Sequence, residues 1–370
     1  MKQLFYRVFA LLFHLSRLLF PLKENRVAFL SMHNEGFHDS LGAVSTALQK
    51  DGRFDTVFLT RRDLAVSPKN IGRILHFFFV SSRELATAKY IFLNDNFLPL
   101  GLLRFRDGVV ITQLWHAEGV FKKFGLAIDQ PPAVRAHEIA ANRKLTWVVC
   151  SSKQVVPYYA EAFGVPEKQV LPLGAPRLDA LLAPGAGEKA KAQLCARFPA
   201  LTEKTLVLYA PTFRETPAQN ETLLSHFDVE AFNAALGDSH ALLVRLHPQV
   251  HPAAHDVAGA LDVTDFDDVS LLVAACDILI TDYSSICMDF AVLGKKTVFY
   301  AFDLERYAAE RDFYFDYASY VPGPVVTDFS SLLQAVAAPL DAEKTARFCA
   351  FNFDDRDRNH TQRVIDTILP

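Results

Sequence analysis

The sequence predicts an α/β fold made of two doubly wound, Rossmann-like domains that face a cleft. Short β-branched or aromatic runs alternate with helical patterns along almost the whole chain. The runs are continuously apolar, which is typical of strands buried on both faces of a parallel sheet. The length of 370 residues corresponds to two domains, or three, at about 150 residues each.

The composition excludes several classes of protein. Hydrophobic residues make up 51% of the chain and charged residues 22%, so a large core can form and bulk disorder is excluded. The net charge of −4 argues against nucleic acid as a partner. The five cysteines are scattered without metal-ligand spacing, which favours reduced thiols in the cytoplasm.

Residues 1–24 are predicted to form an amphipathic, membrane-associating helix. The uncharged stretch 8–16 is too short to span a bilayer, which takes roughly 20 residues, and no signal-peptide cleavage site follows it. On a helix, Arg7, His14 and Arg17 share one face. A second face is aliphatic: Leu4, Val8, Leu11, Leu15, Leu18 and Leu22. This pattern fits a helix on an anionic membrane surface and, equally, a helix packed on its own domain.

The strand pattern places one α/β domain at 25–185 and a second α/β domain at 186–345. The predicted strands are 26–32, 56–60, 74–80, 90–94, 109–114, 146–151 and 170–174, then 205–209, 241–246, 261–264, 277–281 and 297–300. The turn-rich segment 183–187 separates the halves. One helix over 345–369, in a C-terminal segment 346–370, is predicted to cross back to the first domain.

Polar clusters follow several predicted strands, and ligands of doubly wound folds bind at the carboxyl ends of the strands. In the first cluster, His116 follows the strand 109–114, and Lys122 and Lys123 come within seven residues. An imidazole beside ammonium groups suits acid–base work on an anionic substrate. A structural histidine and a solvated lysine pair are the alternatives.

The second and third clusters carry arginine and histidine. Arg214 follows the strand 205–209 and is suited to binding a phosphate, although an ordinary surface arginine is the alternative. Arg245 and His247 alternate by two, so they are expected on one side of their strand, with Pro248 holding His247 extended. A partly buried structural histidine is the alternative there.

The fourth cluster is the most informative. A buried strand ends at Thr281 and Asp282, and Ser284 and Ser285 open the next helix. Backbone N–H groups and two hydroxyls at a helix start favour an anion, although a plain N-cap is the alternative. The chain has neither a P-loop motif nor the Gly-x-Gly-x-x-Gly of dinucleotide binders. Together, the four clusters favour an anionic, nucleotide-type ligand.

These residues, in this order, resemble the CDP-glycerol glycerophosphotransferase family of teichoic acid synthesis, of the primase or polymerase type. The matching residues are Trp115-His116 with Lys122-Lys123, Tyr209 to Thr212 with Arg214, Arg245 with His247-Pro248, Ile280 to Ser285, Met288 to Phe290, and Asp303 with Tyr307. The resemblance covers most of residues 90–320. It departs from the family pattern at Ala117-Glu118, where the family has Gly-Thr, and at Phe213, where the family has Trp.

The resemblance implies a glycosyltransferase-B-like enzyme that transfers glycerol phosphate from CDP-glycerol to a hydroxyl of a lipid-linked acceptor, releasing CMP. It implies that 25–185 is the acceptor-side domain and 186–345 the nucleotide-binding domain. His116 and His247 would be the catalytic histidines. The substrate-binding residues would be Lys122, Lys123, Arg214, Arg245, Thr281, Asp282, Ser284 and Ser285. A CDP-ribitol-using transferase, a nucleotide-sugar glycosyltransferase and a membrane-docked, non-catalytic nucleotide-binding scaffold are the alternatives. The enzyme is expected in the cytoplasm, peripheral on the inner face of the membrane.

The expected mechanism is a displacement at the β-phosphorus. His116 would accept the proton of the acceptor hydroxyl, and His247, helped by Arg245 or Arg214, would neutralise charge on the diphosphate. No cofactor is predicted, and a metal requirement stays open. The acidic run Asp265, Asp267 and Asp268 is interpreted as a helix start.

Overall fold

The structure is a computed structural model that describes residues 2–31, 39–60, 71–214, 216–247, 257–266, 268–310 and 312–370. The chain forms two compact units: unit 1 comprises residues 1–179 and 352–370, and unit 2 comprises residues 180–351. Each unit contains a six-stranded sheet in which all described pairings are parallel. The predicted α/β class with two parallel sheets is confirmed.

The sheet of unit 1 has the strand order β2-β1-β3-β4-β5-β6. Its strands are β1 (Lys23–Ser31), β2 (Asp55–Thr60), β3 (Ala88–Leu93), β4 (Val110–Gln113), β5 (Trp147–Cys150) and β6 (Val170–Pro172). The helices of unit 1 are α1 (Lys2–Leu19), α2 (Ser40–Asp51), α3 (Ile71–Leu75), α4 (Ser82–Thr87), α5 (Pro132–Asn142) and α6 (Val156–Phe163). Short 3-10 turns cover Leu98–Leu102, Gly125–Ala127, Lys153–Val155 and Glu167–Gln169.

Helix α1 packs on unit 1 through aromatic side chains. Phe9 and Phe13 are fully buried, and the Phe9 ring stacks on Phe77 with the centroids 4.7 Å apart. The aliphatic side of the helix faces outward instead: Leu4, Val8, Leu11, Leu15, Leu18 and Leu19 are all exposed. Among the described residues, no helix combines the length and the apolar character that crossing a membrane requires.

The strand predicted at 74–80 is wrong. Residues 71–87 are helical, because α3 and α4 are joined by a π-helical turn at His76–Ser81. The aromatic run at 77–79 has the continuous apolar pattern that is typical of a buried strand. In the structure Phe77 is buried and stacks on Phe5 and Phe9, while Phe79 is exposed.

The C-terminal residues complete the core of unit 1. Two helices replace the single helix predicted over 345–369: α16 (Ala342–Asn352) and α17 (His360–Ile368). The charged segment between them, from Asp354 to Arg358, contains no apolar side chain to bury. Val364 and Ile368 pack with strands β1 and β3 and helix α2 in one hydrophobic cluster.

Unit 2 repeats the architecture. The chain passes from unit 1 to unit 2 within α7 (Leu178–Leu181). The strands of unit 2 are β7 (Thr205–Tyr209), β8 (His240–Val244), β9 (Leu261–Asp262), β10 (Ile278–Thr281), β11 (Lys296–Tyr300) and β12 (Val325–Val326). Its helices include α8 (Ala186–Arg197), α9 (Pro217–Ser225), α10 (Val229–Leu236), α11 (Val269–Ala275), α12 (Ile286–Val292), α13 (Leu304–Glu310), α14 (Tyr317–Tyr320) and α15 (Phe329–Ala337), with α16 at its end and a 3-10 turn at Pro199–Leu201.

The strand order of unit 2 is β12-β11-β10-β7-β8-β9. The order reverses between β7 and β10, which makes this point the topological switch point, where ligands of such folds bind. In unit 1 the corresponding reversal lies between β1 and β3. A ligand site is therefore expected in the loops that follow these strands.

Candidate active site

Strand β4 brings His116 to the carboxyl edge of the sheet of unit 1. The residue before it, Trp115, has a φ of +60°, which is unfavourable for a bulky side chain and costs on the order of 1–3 kcal/mol. Gln113 holds this conformation, since its Oε1 accepts a hydrogen bond of 2.9 Å from the Trp115 N–H. The indole stacks on Phe124 at 5.2 Å and meets Phe163 edge-on. The loop that carries His116 is thus fixed at its base by a polar and an aromatic contact.

His116 is oriented by the segment that follows β3. Its Nδ1 lies 2.9 Å from Oδ1 of Asp95 and 3.1 Å from the carbonyl oxygen of Asn94. Burial on its own lowers the pKa of His116, but the hydrogen bond and the charge of Asp95 outweigh burial and raise the pKa above 6.5. The Asp95 side chain is 5% exposed, whereas that of His116 is 48% exposed. The imidazole is therefore anchored on one side and open on the other.

The loop after His116 is anchored inside unit 1. The Glu118 carboxylate accepts hydrogen bonds from Nε and an Nη of Arg177, and its side chain is buried. The N–H of Gly119 donates to the Ser151 hydroxyl at 2.9 Å, and the next N–H donates to the side chain of Asn352. Glu118, which departs from the family pattern, therefore holds the loop in place.

Lys122 and Lys123 follow this loop and are both partly buried. Their predicted role in binding an anionic substrate stays a prediction.

His247 lies beyond the carboxyl end of β8 in unit 2. Its ring packs on Phe213, with the centroids 4.4 Å apart. Burial and the nearby charge of Arg245 lower the pKa of His247, so the imidazole is neutral at pH 7. Arg245 itself donates hydrogen bonds to the carbonyl oxygens of residues 263, 264 and 266, which ties the loop after β9 to this strand end. Pro248 lies outside the described residues.

Arg214 occupies the switch point of unit 2, but in a buried ion-pair network. Its side chain is 3% exposed and donates to Asp303 at 2.8 and 2.9 Å and to Asp282 at 2.9 Å. The guanidinium also lies within 6 Å of the Tyr283 and Tyr307 ring centroids. We call Arg214, Asp282 and Asp303 the brace, because their ion pairs link the loops at the switch point. Since these hydrogen bonds engage the guanidinium, the geometry does not support the predicted contact of Arg214 with substrate.

The brace joins the loops after β7 and β10. Oδ1 of Asp282 accepts a hydrogen bond of 2.7 Å from the Thr212 N–H, and the Tyr283 hydroxyl donates to Asp303 at 3.0 Å. Although burial raises the pKa of Asp303, hydrogen bonding and the charge of Arg214 lower it below its usual 3.8. Asp303 is therefore ionised at neutral pH.

The remaining predicted residues differ in accessibility. Thr281 is fully buried, and its hydroxyl donates to the carbonyl oxygen of residue 210 at 2.6 Å, so it stabilises the strand end. Ser285 is exposed at the start of α12 and makes no side-chain capping bond, and Ser284 is partly buried. These two hydroxyls are the predicted groups of this loop that a ligand can reach.

The chain matches a family model over residues 11–370, that of the CDP-Glycerol:Poly(glycerophosphate) glycerophosphotransferases. It belongs to this family. A teichoic acid ribitol-phosphate primase from Bacillus spizizenii is 33% identical over 98% of this chain and 95% of the relative. A teichoic acid glycerol-phosphate primase from Bacillus subtilis is 30% identical over 76% of this chain and 73% of the relative. Both kinds of polyol phosphate thus occur in the names of the relatives of this chain.

Solved structures show the same fold. The wall teichoic acid polymerase TagF superposes with a TM-score of 0.79 at 22% identity, over 94% of this chain and 88% of that chain. A UDP-GlcNAc 2-epimerase from Neisseria meningitidis superposes with a TM-score of 0.56 at 13% identity, over 92% of this chain and 98% of that chain. The predicted glycosyltransferase-B-like fold class is confirmed for this chain.

The sequence reasoning missed Asp95 and Arg177. The signal for Asp95 is present, because three polar residues, Asn94 to Asn96, directly follow a buried strand. Arg177 lies far from Glu118 in sequence, and no local pattern pairs them. Within the described part of the chain, no group of three or more His, Cys, Asp or Glu side chains is arranged to hold a metal ion. In the acidic run, Asp268 caps α11 as predicted for a helix start, and Asp267 lies outside the described residues.

Proposed function

We propose that this protein transfers a polyol phosphate from a CDP-polyol to a hydroxyl of a lipid-linked acceptor of the teichoic acid type, releasing CMP. The observation that carries the proposal is His116, which lies at the carboxyl edge of its sheet and is oriented by a buried carboxylate. Membership of the glycerophosphotransferase family supplies the reaction type. We further propose that the protein works in the cytoplasm, at the inner face of the cell membrane.

In this reaction the acceptor oxygen attacks the β-phosphorus of the donor. The bond from this phosphorus to the bridging oxygen breaks, and that oxygen leaves with CMP. His116 accepts the proton of the acceptor hydroxyl, a contribution of roughly 10²–10⁴-fold. His247, as a neutral imidazole, donates a hydrogen bond to the diphosphate, and Ser284 and Ser285 supply hydroxyl donors.

Two polyols are candidates for the donor. The sequence motifs favour CDP-glycerol, and the family description names the same nucleotide. CDP-ribitol is the second candidate, because the ribitol-phosphate primase matches along nearly its whole length. The chain spans 57% of a poly(ribitol-phosphate) polymerase from the same organism.

Parallel incubation with CDP-glycerol, CDP-ribitol and UDP-sugars, each with a panel of lipid-linked acceptors, distinguishes these donors. CMP release with a product whose mass increases by one polyol phosphate is the expected result, and the donor that gives it identifies the polyol. UDP release from a UDP-sugar, or nucleotide binding without any turnover, contradicts the proposal.

Substitution of the two histidines tests their roles. His116→Ala is expected to lower turnover at least about 10²-fold while CDP binding is retained. His247→Ala is expected to weaken donor binding as well as turnover. The matched control is His240→Ala, since His240 begins the strand β8 that His247 follows and lies at the opposite edge of the sheet. Unchanged turnover of His116→Ala contradicts its role as the base.

For the membrane we propose docking through the outward side of α1. The aromatic side of the helix packs on the rest of unit 1, and the aliphatic side is exposed, which supports the proposal. Leu11 and Leu15 are exposed near its middle, and Arg7 is exposed beside them. An apolar row beside an exposed arginine favours the surface of an anionic bilayer.

Sedimentation with vesicles tests this docking. Wild-type protein is expected to bind vesicles of phosphatidylglycerol and phosphatidylcholine, and Leu11→Glu with Leu15→Glu to stay in the supernatant. Val134→Glu is the control, because Val134 is an exposed apolar residue on α5 of the same unit. Equal sedimentation of wild type and the double variant contradicts the assignment of this surface.

A further inference from the structure

We propose that Asp95 is the positioning residue of the candidate base, holding His116 in the tautomer protonated at Nδ1 so that Nε2 accepts the acceptor proton. The inference deepens the proposed function and rests on it. Asp95 touches neither donor nor acceptor in this assignment and acts only through the imidazole.

The tautomer follows from the two groups that face Nδ1. The carboxylate oxygen of Asp95, at 2.9 Å, and the carbonyl oxygen of Asn94, at 3.1 Å, are both acceptors. A ring nitrogen between two acceptors must carry the proton to avoid two repulsive contacts. In a neutral imidazole this leaves the lone pair on Nε2, which is the form a base requires.

Asp95 is itself held firmly enough to orient a ring. Its side chain is 5% exposed, and its carbonyl oxygen accepts a hydrogen bond of 3.2 Å from the Gln113 amide. Gln113 also fixes the strained Trp115 next to the histidine. One glutamine side chain therefore couples the positions of Asp95 and His116.

A second tie comes from helix α2. The Asn94 side chain donates to Asp39, which caps α2 by accepting hydrogen bonds from the N–H groups of residues 41 and 42. The charged groups around the imidazole are Asp95, with Asp39 behind it, and Glu118, which is paired with Arg177. Asp95 is the carboxylate that bonds the ring directly, so its charge dominates the protonation of His116.

The transfer step involves no change of oxidation state and needs no redox partner. The acceptor oxygen forms a bond to the β-phosphorus as its proton passes to Nε2, and the bridging P–O bond breaks with its electron pair leaving on CMP. The imidazolium formed faces the Asp95 carboxylate, which stays ionised and stabilises it. An uncharged partner at position 95 offers less stabilisation and permits the opposite tautomer.

Asp95→Asn tests the inference, because it keeps the shape and removes the charge. With the CDP-polyol that supports turnover, kcat is expected to fall by at least about tenfold with KM little changed. The acidic limb of the kcat profile is expected to move to lower pH, since His116 loses the carboxylate that raises its pKa. Asp95→Glu, which restores the charge on a longer side chain, is expected to recover part of kcat and the original limb.

The control is Asp55→Asn. Asp55 bonds Arg26 and begins strand β2, so it lies at the amino edge of the same sheet, opposite to His116. This variant removes an aspartate from unit 1 and is expected to leave kcat and the pH profile unchanged. Thermal unfolding of all variants separates a loss of fold from a loss of orientation.

A spectroscopic measurement tests the tautomer without turnover. Long-range ¹H–¹⁵N spectra of ¹⁵N-histidine protein, assigned with His116→Gln, are expected to show Nδ1 protonated at high pH and a lower titration midpoint in Asp95→Asn. An unchanged midpoint, or an Nε2-protonated ring in the wild type, overturns the inference. If instead no CDP-polyol is turned over, the proposed function fails while this measurement still decides the role of Asp95.

Discussion

Arg214→Met is the substitution that best separates a brace from a substrate-binding residue. Methionine keeps most of the apolar contact with Tyr283 and Tyr307 and removes the charge. The side chains of Asp282 and Asp303, 2% and 7% exposed, then lose their buried cation. Removing one partner of a buried ion pair costs about 3–5 kcal/mol, because the other charge stays buried.

Unit 2 is therefore expected to melt well below its wild-type temperature. For domains of 150–250 residues, 1 kcal/mol corresponds to about 2–4 °C, so the melting temperature is expected to fall by about 6–20 °C. Arg306→Met is the control, because Arg306 pairs with the same Asp303 but is 51% exposed. Its loss is expected to cost less than about 1 kcal/mol.

The stabilisation that the Arg214–Asp303 ion pair gives to the fold depends on pH. In the wild type, Arg214 lowers the pKa of Asp303, so this pair stabilises the fold above pH 3.8 and the contribution is lost as the pH falls. The difference in melting temperature between wild type and Arg214→Met is thus expected to be largest near pH 7 and to shrink below pH 3.8, as the pH falls through the lowered pKa of Asp303. Calorimetry over this range measures it.

A second measurement, of CDP binding, tests whether Arg214 contacts the donor. CDP binding to Arg214→Met, measured by titration calorimetry below the melting transition, is expected to stay within a few-fold of wild type. A variant that melts with the wild type and loses CDP affinity more than tenfold shows that Arg214 contacts the diphosphate and is no brace.

Three further substitutions, each measured by thermal unfolding, test individual contacts in the structure. Glu118→Gln weakens the buried pair with Arg177 and is expected to cost about 1–3 kcal/mol, whereas an unchanged melt contradicts the anchoring of the His116 loop. Gly125→Ala places a Cβ 2.3 Å from a backbone oxygen at a φ of +56°, so it is expected to cost more than Gly52→Ala, which is similarly left-handed but open to solvent. Lys295→Met removes three hydrogen bonds to carbonyl oxygens at the end of α11 and is expected to cost about 1–3 kcal/mol, and no change contradicts its capping role.

The strands could be predicted from the sequence wherever burial on both faces produced an unbroken apolar run. The prediction of 205–209 coincides with β7, and that of 56–60 differs from β2 by one residue. The strand β12, Val325–Val326, is too short to leave such a signal. The helix at 71–87 was missed because its aromatic residues pack on α1, a tertiary contact that local pattern does not encode.

The position of the candidate site could be predicted from the sequence, whereas the roles of its residues stay predictions. His116 and His247 both follow strands at the carboxyl edges of their sheets, as the strand-end argument requires. Arg214 was interpreted as a ligand-binding residue because a sequence shows an arginine after a strand but not the carboxylates that fold over it. Its partner Asp303 is 89 residues away, so only the tertiary structure shows that this guanidinium is engaged.

The surroundings of His116 and His247 shift their pKa values in opposite directions, which supports different roles for the two residues. Asp95 raises the pKa of His116, whereas burial and Arg245 lower that of His247. Environments that push two titratable groups in opposite directions are typical of a divided acid–base function. A raised pKa makes His116 the stronger base and the better holder of a proton, while His247 stays neutral and donates a hydrogen bond throughout the working range. With the roles proposed above, the acidic limb of the pH profile is expected to follow His116 alone, since His247 gains its proton only at lower pH.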